Sequence, residues 1–223
     1  MRLYRAIRGT FVLCVFLMIW EVVSQFTLPL FIPSPVSVLK AIIGLYETGQ
    51  LGMGLWYSFR RITTATFLSI GVAIPIALIV YGIPIFRETL MPVVSFLRYI
   101  PVTALSPLLI YWFGIGEKAK ISFLFIATFV YFLPSVLLAF GDVPQALMDT
   151  GKTIGMKRWE VILEILLPAS LPSICSTFLM MYGIGWTYCA VVEASNATYG
   201  LGFVINVSAA RGRTNVVFGA IIG

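Results

Sequence analysis

The chain has 223 residues, 60% of them hydrophobic and 11% charged, with a formal net charge of +6 and no histidine. So few polar side chains cannot coat a water-soluble globule of this length, which assigns the chain to lipid. The basic excess does not indicate nucleic acid, because the basic residues are scattered and no polar domain presents them; membrane headgroups or an anionic solute suit it better.

A bilayer core about 30 Å thick needs about 20 apolar helical residues per crossing, and backbone in lipid must satisfy its own hydrogen bonds. The apolar runs fit that length. The expected fold class is all-α, a polytopic transmembrane helical bundle of about six membrane helices, with residues 1–223 forming one transmembrane domain.

In chain order, Arg2, Arg5 and Arg8 precede a first membrane helix over residues 10–28. This start resembles a signal peptide, but no small-x-small cleavage site follows and apolar character resumes to Leu30. Pro29, Pro33 and Pro35 end the helix, and residues 36–46 read as an amphipathic helix lying at the surface. Gly49, Gly52 and Gly54 read as a loop. A second helix spans 56–81, with a kink at Pro75. The third, 90–113, carries Pro92, Pro101, Pro107 and Arg98, and Gly114 to Lys118 make a tight turn. A fourth spans 119–140, a polar segment 142–168, and a fifth 170–192. A mixed stretch, 193–213, centres on Gly200-Leu201-Gly202. The last apolar run starts at Asn215 and has only nine residues, so a sixth crossing is begun and truncated and a C-terminal portion is expected to be missing. Cys14, Cys175 and Cys189, isolated in apolar segments, read as small buried side chains without a metal.

The polar segment holds seven charged residues: Asp142, Asp149, Lys152, Lys157, Arg158, Glu160 and Glu164. Asp142 is placed to cap a helix starting near Pro144. Gly151 and Gly155 allow a turn and close approach. Beyond them Trp159, Ile162, Leu163 and Leu166 form an apolar stripe that Pro168 ends. Two short helices bent at Gly155 are expected, either as an interface or as a loop resting on headgroups. Basic residues divide evenly across the two membrane faces, with Lys40, Arg60, Arg61, Lys118, Lys120, Arg211 and Arg213 opposite the face of the polar segment. The N-terminal cluster favours a cytoplasmic polar segment.

Arg98 inside a crossing costs about 2.5–3.5 kcal/mol at mid-helix. It either attracts an anionic solute, snorkels to the cytoplasmic face or bonds carbonyls freed by Pro101. Thr103 and Ser106 beside the prolines suit a hydrated path or a packing kink. Glu193 is either a gate or a helix-end residue. The outer arginines Arg60, Arg61, Arg211 and Arg213 read as exposed charges that would suit an anion. Gly151-Lys152-Thr153 imitates the end of a phosphate-binding loop, but Ala146 occupies the position of the required earlier glycine and no strand precedes it. The chain itself is therefore not expected to bind or hydrolyse ATP.

The spacing Asp149-Thr150-Gly151, three residues, Gly155, nine residues, Ile165, one residue, Leu167-Pro168 resembles the Glu-Ala-Ala-x3-Gly-x9-Ile-x-Leu-Pro signature of binding-protein-dependent ABC importer permeases. Only the leading Glu-Ala-Ala departs, and Gly151 weakens a local helix by about 1 kcal/mol relative to alanine. Pro33-Ser34-Pro35 with Val38, Ser58-Phe59-Arg60-Arg61-Ile62, Arg98-Tyr99-Ile100-Pro101, Trp112 to Glu117, and Glu193 with Gly200-Leu201-Gly202 are similar to the nitrate, sulfonate and taurine branch.

The resemblance implies a permease subunit in the bacterial inner membrane, with residues 142–168 a cytoplasmic coupling-helix loop between helices four and five. Asp149, Thr150, Gly151, Gly155, Met156, Trp159, Leu167 and Pro168 would couple to the ATPase; Arg98, Thr103, Ser106 and Glu193 would line the path. It implies a second permease copy in a homodimer, cytoplasmic ABC ATPase subunits that bind ATP and Mg, and a periplasmic or lipid-anchored solute-binding protein. The solute would be a small anion such as nitrate, a sulfonate or taurine. This chain would hold no cofactor or metal. The alternative, a stand-alone channel or ion-coupled secondary transporter, would call for inverted repeats and intramembrane acids, and neither is evident.

Overall fold

The computed structural model describes residues 2–223, except the side chains of residues 2–7 and 196, so those of Arg2 and Arg5 lie outside the described residues. Among these residues there is no strand. The elements are α1 (Arg2–Phe26), α2 (Pro35–Glu47), α3 (Gln50–Gly82), α4 (Pro84–Leu97), a 3₁₀ turn (Val102–Leu105), α5 (Ser106–Phe113), α6 (Glu117–Gly141), α7 (Gln145–Thr153), α8 (Arg158–Glu160), a π segment (Val161–Leu166), α9 (Leu167–Asn196), α10 (Leu201–Ala210) and α11 (Thr214–Ile222). Four stretches are long and apolar enough to cross a membrane, or five if a bent pair counts as one span. The chain forms two compact units, Met1–Ser58 with Glu193–Gly223, and Phe59–Val192.

In the unit Phe59–Val192, α6 is the axis. Two thirds of its apolar window (67%) is buried, against 33% and 28% for the spans that contain α3 and α9. Phe123, Leu124, Phe132, Val136 and Phe140 of α6 are almost fully enclosed. On α3, Ala65, Ala73 and Ala77 are each 0% exposed. Methyl side chains let helix axes approach closely, which matters in lipid because packing rather than water exclusion drives association. At that contact Ser69 Oγ lies 2.6 Å from Thr128 Oγ1, one hydroxyl donating to the other, whose own proton can go to a carbonyl of its helix, Ala65 O or Leu124 O. Thr63 Oγ1 meets Tyr182 Oη at 3.0 Å.

The third apolar run is not the continuous helix expected. Its halves, Pro84–Leu97 and Val102–Phe113, are bent by 82°. Pro101 lacks a donor N–H and disfavours helical geometry at Ile100, so the ladder fails there, and Pro107 is tolerated in the first turn of α5. Prolines persist inside the other spans: Pro75 in α3, Pro134 in α6 and Pro172 in α9.

In the other unit, Ser34 Oγ accepts from the Ser37 N–H and Pro35 opens α2, so this helix begins with a side-chain cap. Leu45, Leu51 and Ala220 form its core, with Leu201 and Val216 packed on them. α1 has none of its apolar window buried in the chain and is held by Trp20, whose Nε1 donates to Pro33 O at 3.0 Å and whose ring meets Phe218. α3 begins at Gln50 rather than near Trp56. Of the three glycines read as loop, only Gly49 turns, at φ 69°. Gly54 is helical and serves close approach: a Cβ there would sit 3.3 Å from Leu201 Cδ2.

Candidate functional site

The polar segment folds as two helices bent at Gly155, and its backbone shows why the bend falls there. Gly155 has φ 86°. Its N–H donates to Lys152 O, and the Met156 N–H donates to Gly151 O, both at 3.0 Å. These paired bonds are a Schellman motif, which requires a left-handed residue just past the helix end and so favours glycine. α7 thus stops by design, and Glu160 accepts from the Lys157 N–H at 2.7 Å to start α8.

Gly151 is buried, and a Cβ on it would lie 2.6 Å from Ile165 Cδ1 and 3.0 Å from Val161 Cγ2. A methyl group at this position would have to displace the end of the Ile165 side chain, so α7 lies close against the next helix. Met156 packs on the same point, its Sδ 3.3 Å away. Asp149 and Thr150 face outward. Asp149 Oδ1 accepts from Lys152 Nζ at 2.8 Å and from Gln145 Nε2 at 3.1 Å, and this bonding, from Lys152 first, holds its carboxyl below the usual range. Leu147 and Ile154 are exposed beside them, Ile154 at 73%.

Three expectations about this segment are corrected. Asp142 does not cap α7; it closes α6, and Pro144 stands at the cap position of α7. Pro168 does not end a helix. α8 runs through the π segment into α9 without a break, and the Leu167 N–H reaches Ile162 O, five residues back. The wider turn moves the carbonyl that a proline ring would strike, which lets Pro168 continue the helix. The same widening shifts the apolar face: Val161, Ile162 and Leu166 are buried, while Leu163 is 50% exposed.

Trp159 joins this segment to α3. A Cβ on Gly82, the last residue of α3, would lie 2.5 Å from Trp159 Cη2, so the indole lies directly over this glycine and a side chain there would displace it. Next to it Tyr81, Arg87, Glu88 and Arg158 line a cavity of about 510 Å³, and the Arg87 guanidinium stands 4.6 Å from the Tyr81 ring centroid.

At the other end of α6 lies a charged cluster that was read only as scattered outer charges. Arg61 is 1% exposed and holds Glu117 bidentately, Nε to Oε2 at 2.7 Å and Nη2 to Oε1 at 2.6 Å. Lys120, also buried, donates to Glu117 Oε1 at 3.0 Å, and Arg60 approaches Oε2 at 3.8 Å. Arg61 is thus no exposed charge. A planar fork matched to one carboxylate tolerates burial better than a lone cation. The available sequence signal was a carboxylate opening one apolar span and an arginine pair near the start of another.

Glu193 is likewise enclosed, at 1% exposure. Its carboxylate accepts from Ser58 Oγ at 2.8 and 2.9 Å and from the Gly202 N–H at 2.9 Å, while the Leu201 N–H donates to Ser58 Oγ. The carboxylate therefore caps the start of α10. Gly200, at φ 133°, has no Cβ to strike it. This accounts for Gly200-Leu201-Gly202, and Ser58 is the partner that sequence reasoning did not assign.

The remaining pathway candidates fall at the break in the third run. Arg98 closes α4 rather than sitting within a continuous crossing, and its buried Nε has no hydrogen-bond partner among the described residues. Thr103 is exposed in the 3₁₀ turn, and Ser106, half-buried, opens α5. Cys189 is buried as expected, whereas Cys14 and Cys175 are exposed, on helix faces left open in the single chain.

Residues 65–223 match the family described as binding-protein-dependent transport system inner membrane component. The chain is 32% identical over 216 residues to the taurine transport system permease protein TauC of Escherichia coli, covering 94% of this chain and 78% of that protein. It is 26% identical over 221 residues to the putative aliphatic sulfonates transport permease protein SsuC of Bacillus subtilis, covering 98% and 80%. A chain of the inward-facing MetNI methionine ABC transporter shares the fold, with a TM-score of 0.67 over 79% of this chain and 90% of that one at 20% identity. With its apolar spans and its matched signature, this multi-pass membrane chain belongs to the binding-protein-dependent transport inner-membrane components, the permeases of ABC importers.

Proposed function

We propose that the chain is the translocating subunit of an importer for a small organic anion of the sulfonate or taurine type, working as one of two copies in the bacterial inner membrane. A solute-binding protein would deliver the solute from outside, and separate ATPase subunits would dock on α7. The observation that carries this reading is the Schellman-locked bend at Gly155, which presents Leu147, Asp149, Lys152 and Ile154 outward from a rigid base. The relatives' names, for taurine and aliphatic sulfonates, support the solute class.

The route for force is mechanical. Movement of α7 presses on Val161 and Ile165 through Gly151, and the helix they belong to continues unbroken into α9. Trp159 passes the same movement to the end of α3 at Gly82. ATP-driven closure of the docked subunits would bias these helices between inward- and outward-open arrangements, with energy entering as differential contact at α7. No covalent chemistry occurs in this chain. The test is co-purification with an ABC ATPase and ATP-dependent uptake of ethanesulfonate into proteoliposomes supplied with the binding protein. Uptake by the chain alone without ATP would overturn the proposal in favour of a stand-alone carrier.

A further inference from the structure

A cavity of about 630 Å³ lies within the unit formed by Met1–Ser58 and Glu193–Gly223, walled by α2, the first turns of α3, α10 and α11. Its size suits a small ligand. Three cations line it, Lys40, Arg211 and Arg213, and no carboxylate does. Among the described residues none of the three lies within 4.0 Å of an acidic group.

The two arginines are placed by the backbone. α10 ends in a second Schellman motif: the Gly212 N–H donates to Ala209 O at 3.0 Å, the Arg213 N–H donates to Ser208 O at 2.9 Å, and Gly212 has φ 67°. This turn sets Arg211 and Arg213 on either side of Gly212 at the cavity wall. Ser208, only 8% exposed, also lines the cavity, and its hydroxyl has no hydrogen-bond partner among the described residues. The rest of the wall includes Leu45, Val204 and Val207.

We infer that this cavity binds a small organic oxyanion, its charged head held by Lys40, Arg211, Arg213 and the Ser208 hydroxyl and its short aliphatic part against the valines. Guanidinium forks match the planar edge of an oxyanion, and an unpaired hydroxyl beside them adds a donor. The site deepens the proposed function and rests on it: the permease itself would recognise the solute class after release from the binding protein.

The test uses the complete permease–ATPase complex in phosphatidylcholine nanodiscs, without binding protein, titrated with ethanesulfonate by calorimetry. Saturable binding is expected, weakened roughly ten- to hundredfold in the Arg211→Gln/Arg213→Gln variant, as loss of charge-assisted bonds predicts, and unchanged in Lys118→Gln, which removes an exposed cation elsewhere. Binding that is absent, or equal in all three proteins, overturns the inference. A second arm uses phosphatidylglycerol nanodiscs. Undiminished ethanesulfonate binding supports a solute site, whereas competitive loss assigns the cavity to lipid headgroups and overturns it. Co-purification of the ATPase and ATP-driven uptake are measured on the same variants. Uptake intact without cavity binding removes this inference alone, whereas failure of the wild-type complex to assemble removes the importer reading.

Discussion

Replacing Gly155 with alanine introduces no clash, because no heavy atom lies within 4 Å of a Cβ built there. The cost is conformational. An L side chain at φ 86° is disfavoured by about 1–2 kcal/mol. Relaxing φ instead sacrifices the bonds from Gly155 to Lys152 O and from Met156 to Gly151 O, each contributing about 1 kcal/mol net. Both routes lead to a loss of about 1–2 kcal/mol in the population of the bent geometry, roughly tenfold. In the reconstituted complex, ATPase stimulation by loaded binding protein should fall about tenfold for Gly155→Val, while the amount of permease in the membrane is unchanged. Gly155→Asn should fall less, since asparagine tolerates the left-handed region. Equal stimulation in valine and asparagine variants, or wild-type stimulation in both, would refute the argument.

Gly82→Ala drives a methyl group into the Trp159 indole and should lower complex stability by about 1–3 kcal/mol, seen as a reduced thermal midpoint; adding Trp159→Leu should restore much of it. Glu193→Ala removes the acceptor of the buried Gly202 N–H, at about 2 kcal/mol or more, and should raise proteolysis around α10; Glu193→Gln should be milder. Arg61→Lys loses the fork on Glu117 and should destabilise by about 1–3 kcal/mol, with Arg61→Met more damaging, as thermal unfolding in detergent would report. The carboxyl of Asp149 is held below its ordinary value of 3.8, so its bonds to Lys152 and Gln145 persist above that pH and are lost as pH falls through the lower folded value. The protection of the α7 amides, taken relative to their base-catalysed intrinsic exchange rate, should therefore stay flat between about pH 5 and 8.

Much of the fold was legible because the apolar runs are long and the glycine and proline punctuation is strong. The bend at Gly155 followed from the local chemistry of one residue, and α2 began where Ser34-Pro35 puts a cap and a first-turn proline. What stayed hidden depended on partners distant in sequence. Arg61 looked like an exposed arginine because nothing near it shows that Glu117, 56 positions away, will meet it. Glu193 stayed ambiguous because its donors, Ser58 and Gly202, come from two other helices, α3 and the start of α10. Pro101 gives a full break of 82°, where the other prolines inside spans leave the helix continuous, and sequence alone does not separate the two outcomes. Pro168 misled in the other direction, since periodicity at 3.6 does not anticipate a π turn.

Two prolines of the unit Phe59–Val192, in α3 and α6, share a depth. Pro75 stands seven residues before the end of α3 at Gly82, and Pro134 seven before the end of α6 at Gly141, about 10 Å along each axis. Each removes one amide donor, so these two helices soften at the same distance from their ends. Beyond that level on α3 and α6 lie the rigid fastenings, Ser69 to Thr128 and Arg61 to Glu117. The unit is consequently a stiff block with a compliant collar about two helical turns from the polar segment, and a push there flexes the collar before it disturbs the block.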